Sequence, residues 1–221
     1  MVVLGQSVEN DDYGDNLGNF DEVTLVRYNA DGSLDTTFGT GGIVTANLTV
    51  LRPEYADYPD FVFYPTLETL QADGKILVAG SAYSDYDNGN DDIVVIRFNS
   101  DGSVDTTFGT NGVVVTDLGA NDYPIKLLAK TGKVIVYAGS STYDPDNVYG
   151  YDYEEAIIRY DSNGTLDTTF GSGGRRNLCD AERGLYDRRR PPDRWQARDD
   201  RHRLSKPSIP IIITTRKPMR L

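Results

Sequence analysis

One six-residue string, written three times, constrains this chain more than any other feature. Leu34–Gly39 reads LDTTFG, Val104–Gly109 reads VDTTFG and Leu166–Gly171 reads LDTTFG again. The matches extend outward. VTLVRYNADGSLDTTFGTGGIVT starts at Val23, IVVIRFNSDGSVDTTFGTNGVVVT at Ile93 and AIIRYDSNGTLDTTFGSGG at Ala156. A second motif precedes them: QADGKILVAGS (Gln71–Ser81) matches AKTGKVIVYAGS (Ala129–Ser140), and Val2–Gly5 reads as the same strand with its front missing. Self-similarity at such a period is the mark of repeat architectures.

Each unit reads as about four strands joined by tight turns. A first strand enters a turn at ADGK or KTGK. A nearly all-apolar strand follows, ILVA or VIVYA, closed by Gly80 or Gly139. After an acidic loop comes a third strand, IVVIRF or AIIRY. A turn at NADG, NSDG or DSNG reverses the chain. The DTTFG segment with IVT or VVVT then makes the fourth strand. Ile76–Ala79 and Ile93–Ile96 lack polar alternation, so these strands are covered on both faces. Antiparallel four-stranded sheets sealed on both sides and repeated along the chain fit radially packed blades.

The fold class is therefore all-β: a partial β-propeller-like array of four-stranded antiparallel blades, about two and a half repeats, with a disordered C-terminal tail. In it Phe38, Phe108 and Phe170 fill the space between blades, and Gly39, Gly109 and Gly171 supply the bend after them. Arg27, Arg97 and Arg159 stand eight residues before Asp35, Asp105 and Asp167. Across a hairpin this spacing gives cross-strand ion pairs that fix register, each worth about 0–1 kcal/mol if exposed. Nothing near these Asp and Thr residues offers a base, a metal cage or a nucleophile pair.

DGKILVAG, an acidic variable loop and IRFNSDGSVDTTFGTNGVV, in that order, resemble the bacterial delta-60 repeat. The resemblance covers residues 1–174. It implies β-propeller-like arrays in large exported or surface proteins, places this chain outside the cell or on the bacterial surface, and brings no catalytic residue.

Charge divides the chain. Residues 1–174 hold 28 of the 34 acids and 8 of the 22 bases, whereas residues 175–221 hold 6 acids and 14 bases. Cys179, Trp195 and His202, each the sole residue of its type, all lie in that basic segment. One reading of it is a disordered tail, another a nucleic-acid-binding tail, since Arg runs neutralise phosphates. A third is a frameshift. Read one nucleotide later, the codons across Trp195–Gln196 must give Gly and those across Gln196–Ala197 must give Lys or Arg. The neighbouring codons permit a T-D-G-K-L-V-M-T-G string like the repeat's own ADGKILVAG. We favour the frameshift, which removes nucleic acid as a partner and Cys179 and His202 as functional candidates. The first residues show no secretory signal pattern, and no apolar run reaches the ~18 residues of a membrane span.

The loops at 9–22, 84–92 and 143–155 are rich in Asp, Asn, Gly and Tyr and occupy one point of the repeat, between its second and third strands. Such oxygen-rich loops suit calcium; the candidates are Asp85, Asp87, Asp91, Asp144, Asp146 and Asp152. None completes the D-x-[DN]-x-[DN]-G loop, and solvated turns are the plainer reading. Tyr83, Tyr86, Tyr143, Tyr149, Tyr151 and Tyr153 beside carboxylates fit a glycan- or protein-binding surface. No carboxylate pair stands apart as a glycosidase would need. The expectation is a non-catalytic structural or adhesive module, with neighbouring repeats as its main partners and no obligate cofactor; a calcium-dependent glycan-binding or glycan-processing propeller is the alternative. Repeats bury their faces against one another, so residues 1–174 alone are expected not to close a ring and to expose sheet edges.

Overall fold

The computed structural model describes residues 1–5, 22–55, 62–83, 90–146 and 150–178. They form three antiparallel sheets. The first contains β1 (Val2–Gly5), β2 (Glu22–Arg27) and β3 (Ile43–Asn47), in that order, and is followed by one helical turn, α1 (Leu48–Leu51). The second contains β4 (Val62–Leu70), β5 (Ile76–Tyr83), β6 (Asp91–Phe98) and β7 (Val113–Thr116), each paired with the next. The third repeats this plan with β8 (Asn121–Lys130), β9 (Lys133–Tyr143), β10 (Tyr151–Tyr160) and β11 (Arg175–Asn177). This all-β array of antiparallel blades is the architecture expected from the repeat.

The apolar pattern of the middle sheet follows from where it lies. Ile76 and Val78 of β5, with Val94, Ile96 and Phe98 of β6, join Val23, Leu25 and Phe38 in one core. The alternate residues Leu77, Ala79, Ile93 and Val95 join Phe108, Val134, Val136, Ile158 and Tyr160 in another. Successive strand residues point to opposite faces, so a strand sealed on both sides must be apolar throughout. Among the described residues one face of the third sheet is sealed this way, and burial along β9 and β10 alternates accordingly.

Three details depart from the sequence reading. DTTFG is not part of a strand. It forms turns in all three repeats, and the fourth strand begins only at Ile43, Val113 or Arg175. The reason is local: Asp35 Oδ1 accepts hydrogen bonds from Thr37 N at 3.1 Å and Thr37 Oγ1 at 2.6 Å, a side-chain turn that competes with the ladder. Gly80 and Gly139 do not close their strands; β5 runs on to Tyr83 and β9 to Tyr143. Each lies near a bulge on the first strand of its sheet, at Pro65/Leu67 and Pro124/Lys126, where proline costs no ladder bond. The boundary at 174 falls three residues early, because Arg175–Asn177 pairs with Ala156–Ile158 as the fourth strand of the third sheet. Backbone pairing needs no apolar side chain, so the basic residues there did not end the repeat. The rest of the basic segment, with Cys179, Trp195 and His202, lies outside the described residues.

Candidate functional site

The most repeated polar residues assemble one device, built twice in full. Arg27 Nε meets Asp35 Oδ2 at 2.8 Å, Arg97 meets Asp105 at 2.7 Å and Arg159 meets Asp167 at 2.7 Å. Each guanidinium also lies over the Phe of its own repeat, 4.5 Å from the ring centre of Phe38, 4.4 Å from Phe108 and 4.5 Å from Phe170, where a cation–π contact forms. In the first two repeats Nη1 reaches the next repeat. Arg27 Nη1 donates to Ser100 O, and Arg97 Nη1 donates to Ser162 O. Beside it the backbone repeats the link: Gly39 N donates to Asp101 O at 2.8 Å, and Gly109 N to Asn163 O at 2.8 Å.

The acceptors all come from the NSDG and DSNG hairpin turns. Each turn ends in a glycine that lies flat on the preceding Phe. A Cβ on Gly102 would sit 2.4 Å from Val44 Cγ2 and 2.9 Å from Phe38 Cε2, and one on Gly164 would sit 2.7 Å from Val114 Cγ2. A turn thus plugs a socket of Arg, Asp and Phe on the repeat before it. The ion pairs expected to fix register therefore also join repeats, and the second is not exposed: the side chains of Arg97 and Asp105 are 6% and 4% accessible. Burial would raise the Asp105 carboxyl, but the Lys75 ammonium at 2.6 Å, the Thr107 hydroxyl and Arg97 together hold it well below the usual carboxylate range. Lys133 at 2.7 Å, with Thr169 and Arg159, does the same for Asp167.

Both ends of this series stand open among the described residues. Phe38 and Phe108 are fully buried, but Phe170, with no turn upon it, is only half-buried. At the other end, the Asn29–Gly32 turn meets no socket, and nothing lies within 4 Å of a Cβ placed on Gly32. A shallow hollow lined by Met1, Tyr28, Asn29, Ala30 and Gly32 marks that end.

The acidic candidates are more scattered. Asp85 and Asp87 lie outside the described residues. Burial raises the pKa of Asp91, which begins β6. Asp144 caps its own turn, its Oδ1 accepting from Asp146 N at 2.9 Å. Asp152 of β10 pairs with Thr142 of β9, near one end of the third sheet's two central strands. Among the described residues, the structure brings none of Asp91, Asp144, Asp146 and Asp152 into a group of three ligating side chains. The group that does form is Asp92, Asp117 and Asp122, with one carboxylate oxygen of each within 4.8 Å of the others. Burial, with the nearby charge of Asp117, pushes the Asp122 carboxyl up to about 6, against the opposing influence of the nearby Ser140 hydroxyl, the hydrogen bond from Leu118 N and the charge of Arg175. Two of its three members adjoin one ladder: Ile93 pairs with Thr116, so Asp92 and Asp117 are the next residues beyond that pair. The third member arrives from another sheet, which no local pattern announces.

Near the same end of the third sheet, Tyr143 and Tyr151 meet edge to face at 5.6 Å, and Tyr151 and Tyr153 lie 6.4 Å apart. All three rings are substantially exposed. No described helix is long and apolar enough to cross a membrane.

A family described as "Domain of unknown function (DUF5122) beta-propeller" matches residues 13–38, 71–108 and 131–170, together just under half of the chain. The matched stretches include the Arg–Asp–Phe segments of all three repeats, so the chain carries β-propeller-type repeats. No curated protein matches the chain significantly.

Proposed function

We propose that the chain is a non-catalytic structural or adhesive β-propeller repeat module of an exported bacterial protein, of the delta-60 type, whose residues serve repeat-to-repeat attachment. The observation that carries this reading is the junction itself. Of the residues the repeats share most closely, Arg and Gly bond directly to the next repeat, Phe receives its turn, and Asp and Thr hold the Arg in place. The plug at Asn29–Gly32 and the socket at Arg159 and Phe170 are complementary by construction, since each copies a half that is joined elsewhere in the chain. Among the described residues both halves are open, and head-to-tail contacts of this kind build rings or filaments.

Light scattering across a concentration series tests this. The expected result is concentration-dependent association that Phe170→Asp weakens, with unchanged strand content by circular dichroism. A strictly monomeric chain at about 100 μM, some tenfold above the Kd of an ordinary transient interface, would refute attachment as the module's role.

A calcium-dependent glycan-binding or glycan-processing surface is a second reading, favoured by the exposed Tyr143, Tyr151 and Tyr153 beside Asp144 and Asp152. Flat exposed rings flanked by carboxylates suit sugar stacking and hydroxyl hydrogen bonds. Retention on a glycan array, lost in Tyr151→Ala with Tyr153→Ala, would support binding. Turnover abolished by one Asp or Glu change would identify processing.

A further inference from the structure

Asp92, Asp117 and Asp122 take no part in the junctions. Asp92 is the second residue of β6, Asp117 follows β7, and Asp122 is the second residue of β8 in the next sheet. Two pieces of the second sheet and one of the third thus bring three carboxylates together, with an oxygen from each inside 4.8 Å of the other two. Asp122 is fully buried, and its Oδ1 has no hydrogen-bond partner. Its Oδ2 accepts from Leu118 N at 2.5 Å, and Asp117 Oδ1 accepts from Gly119 N at 2.5 Å. These two bonds fix the intervening loop so that both carboxylates face the same point. Among the described residues, neither Asp117 nor Asp122 lies in an ion pair with a Lys or Arg. The basic group nearest in effect, Arg175, spends its Nε on Asn177 Oδ1 at 3.1 Å.

Converging carboxylates repel, and a buried acceptor without a donor is costly. A cation removes both penalties together. The donors are all oxygens, which selects a hard ion over zinc or copper. Coordination geometry favours calcium: it accepts six to eight oxygens in flexible arrangements, whereas magnesium demands a near-ideal octahedron that three carboxylates from separate strands and loops do not provide.

We propose that Asp92, Asp117 and Asp122 bind one divalent cation of calcium's size and thereby clip β6 and β7 to β8. Water completes the coordination, as is usual for such ions. The clip fastens one sheet to the next at a place separate from the Arg–Phe sockets, so it stands whether or not the chain associates with copies of itself.

The experiment takes the full chain, stripped with chelator and titrated with calcium chloride, read by calorimetry and by thermal melting. One ion should bind per chain and raise the melting temperature. Asp117→Asn and Asp122→Asn should each weaken calcium binding by about tenfold or more, since ligand charge sets affinity in such sites. A Glu68→Gln variant, on an exposed position of β4 outside the group, should bind as the parent does. Asp117 is exposed, so its variant keeps the test intact if the Asp122 variant fails to fold. Absence of any response at 10 mM calcium, full calcium binding in both single variants, or tighter binding of magnesium than calcium would each overturn the proposal.

Discussion

Gly102 and Gly32 occupy the same place in two copies of one turn, and comparing alanine at each separates packing from backbone strain. Their φ angles are +93° and +87°, and each donates its N–H back to the Asn three residues earlier, at 3.0 Å and 3.2 Å. The cost of a left-handed conformation is therefore common to both, about 1–2 kcal/mol for an L residue. Their surroundings differ. At Gly102 the new methyl would meet Val44 Cγ2 at 2.4 Å and Phe38 Cε2 at 2.9 Å, whereas at Gly32 it meets nothing within 4 Å. Forcing a methyl into a filled core adds about 1–3 kcal/mol. Gly102→Ala should thus cost about 2–5 kcal/mol in all, and should exceed Gly32→Ala by about 1–3 kcal/mol. Urea unfolding followed by far-ultraviolet circular dichroism, at low micromolar chain to suppress association, gives both values from the midpoints if the slope stays constant. Equal costs within about 0.5 kcal/mol, the usual scatter of surface substitutions, would show that the turn does not rest on the preceding repeat.

Phe108→Ala should lose about 3–5 kcal/mol by urea unfolding, as expected for a fully buried ring, and Phe170→Ala should lose clearly less. Asp105→Asn should cost about 3–5 kcal/mol, because it leaves the buried Arg97 uncompensated; a smaller loss is expected from Asp35→Asn, whose pair is more exposed. Acid should unfold the chain through these same carboxylates. Asp35, Asp105 and Asp167 all have depressed pKa values in the fold, so their stabilisation is complete above the unfolded value of about 3.9 and is lost as the pH falls below it. Urea midpoints measured from pH 7 to pH 2 should fall steeply only below about pH 4, and less steeply in Asp105→Asn.

The sheets were legible because their order is written locally. Apolar runs such as Ile93–Ile96 report burial on both faces, and short turns such as NSDG fix antiparallel neighbours. The eight-residue spacing of Arg27 and Asp35 likewise reports a contact across a hairpin. The second role of those arginines was not legible, since the acceptors, Ser100 O and Ser162 O, lie 73 and 65 residues away and carry no side-chain signature. Thr and Phe favour strands, but in DTTFG the Asp35 and Thr37 hydrogen bonds override that preference. Acidic density drew attention to the loops, where Asp144 and Asp146 serve their own turn. Asp122, in contrast, has an unremarkable sequence setting and becomes conspicuous only when β8 packs on the second sheet.

Amide hydrogen exchange at three equivalent glycines probes the stacking of repeats most directly. Gly39 N and Gly109 N each bond to a carbonyl of the following repeat, while Gly171 N has no such acceptor among the described residues. In dilute chain, Gly39 and Gly109 should exchange slowly, at the rate of sheet separation, and Gly171 should exchange close to the unprotected rate. Three equally fast rates would mean that the sheets do not pack turn-on-socket.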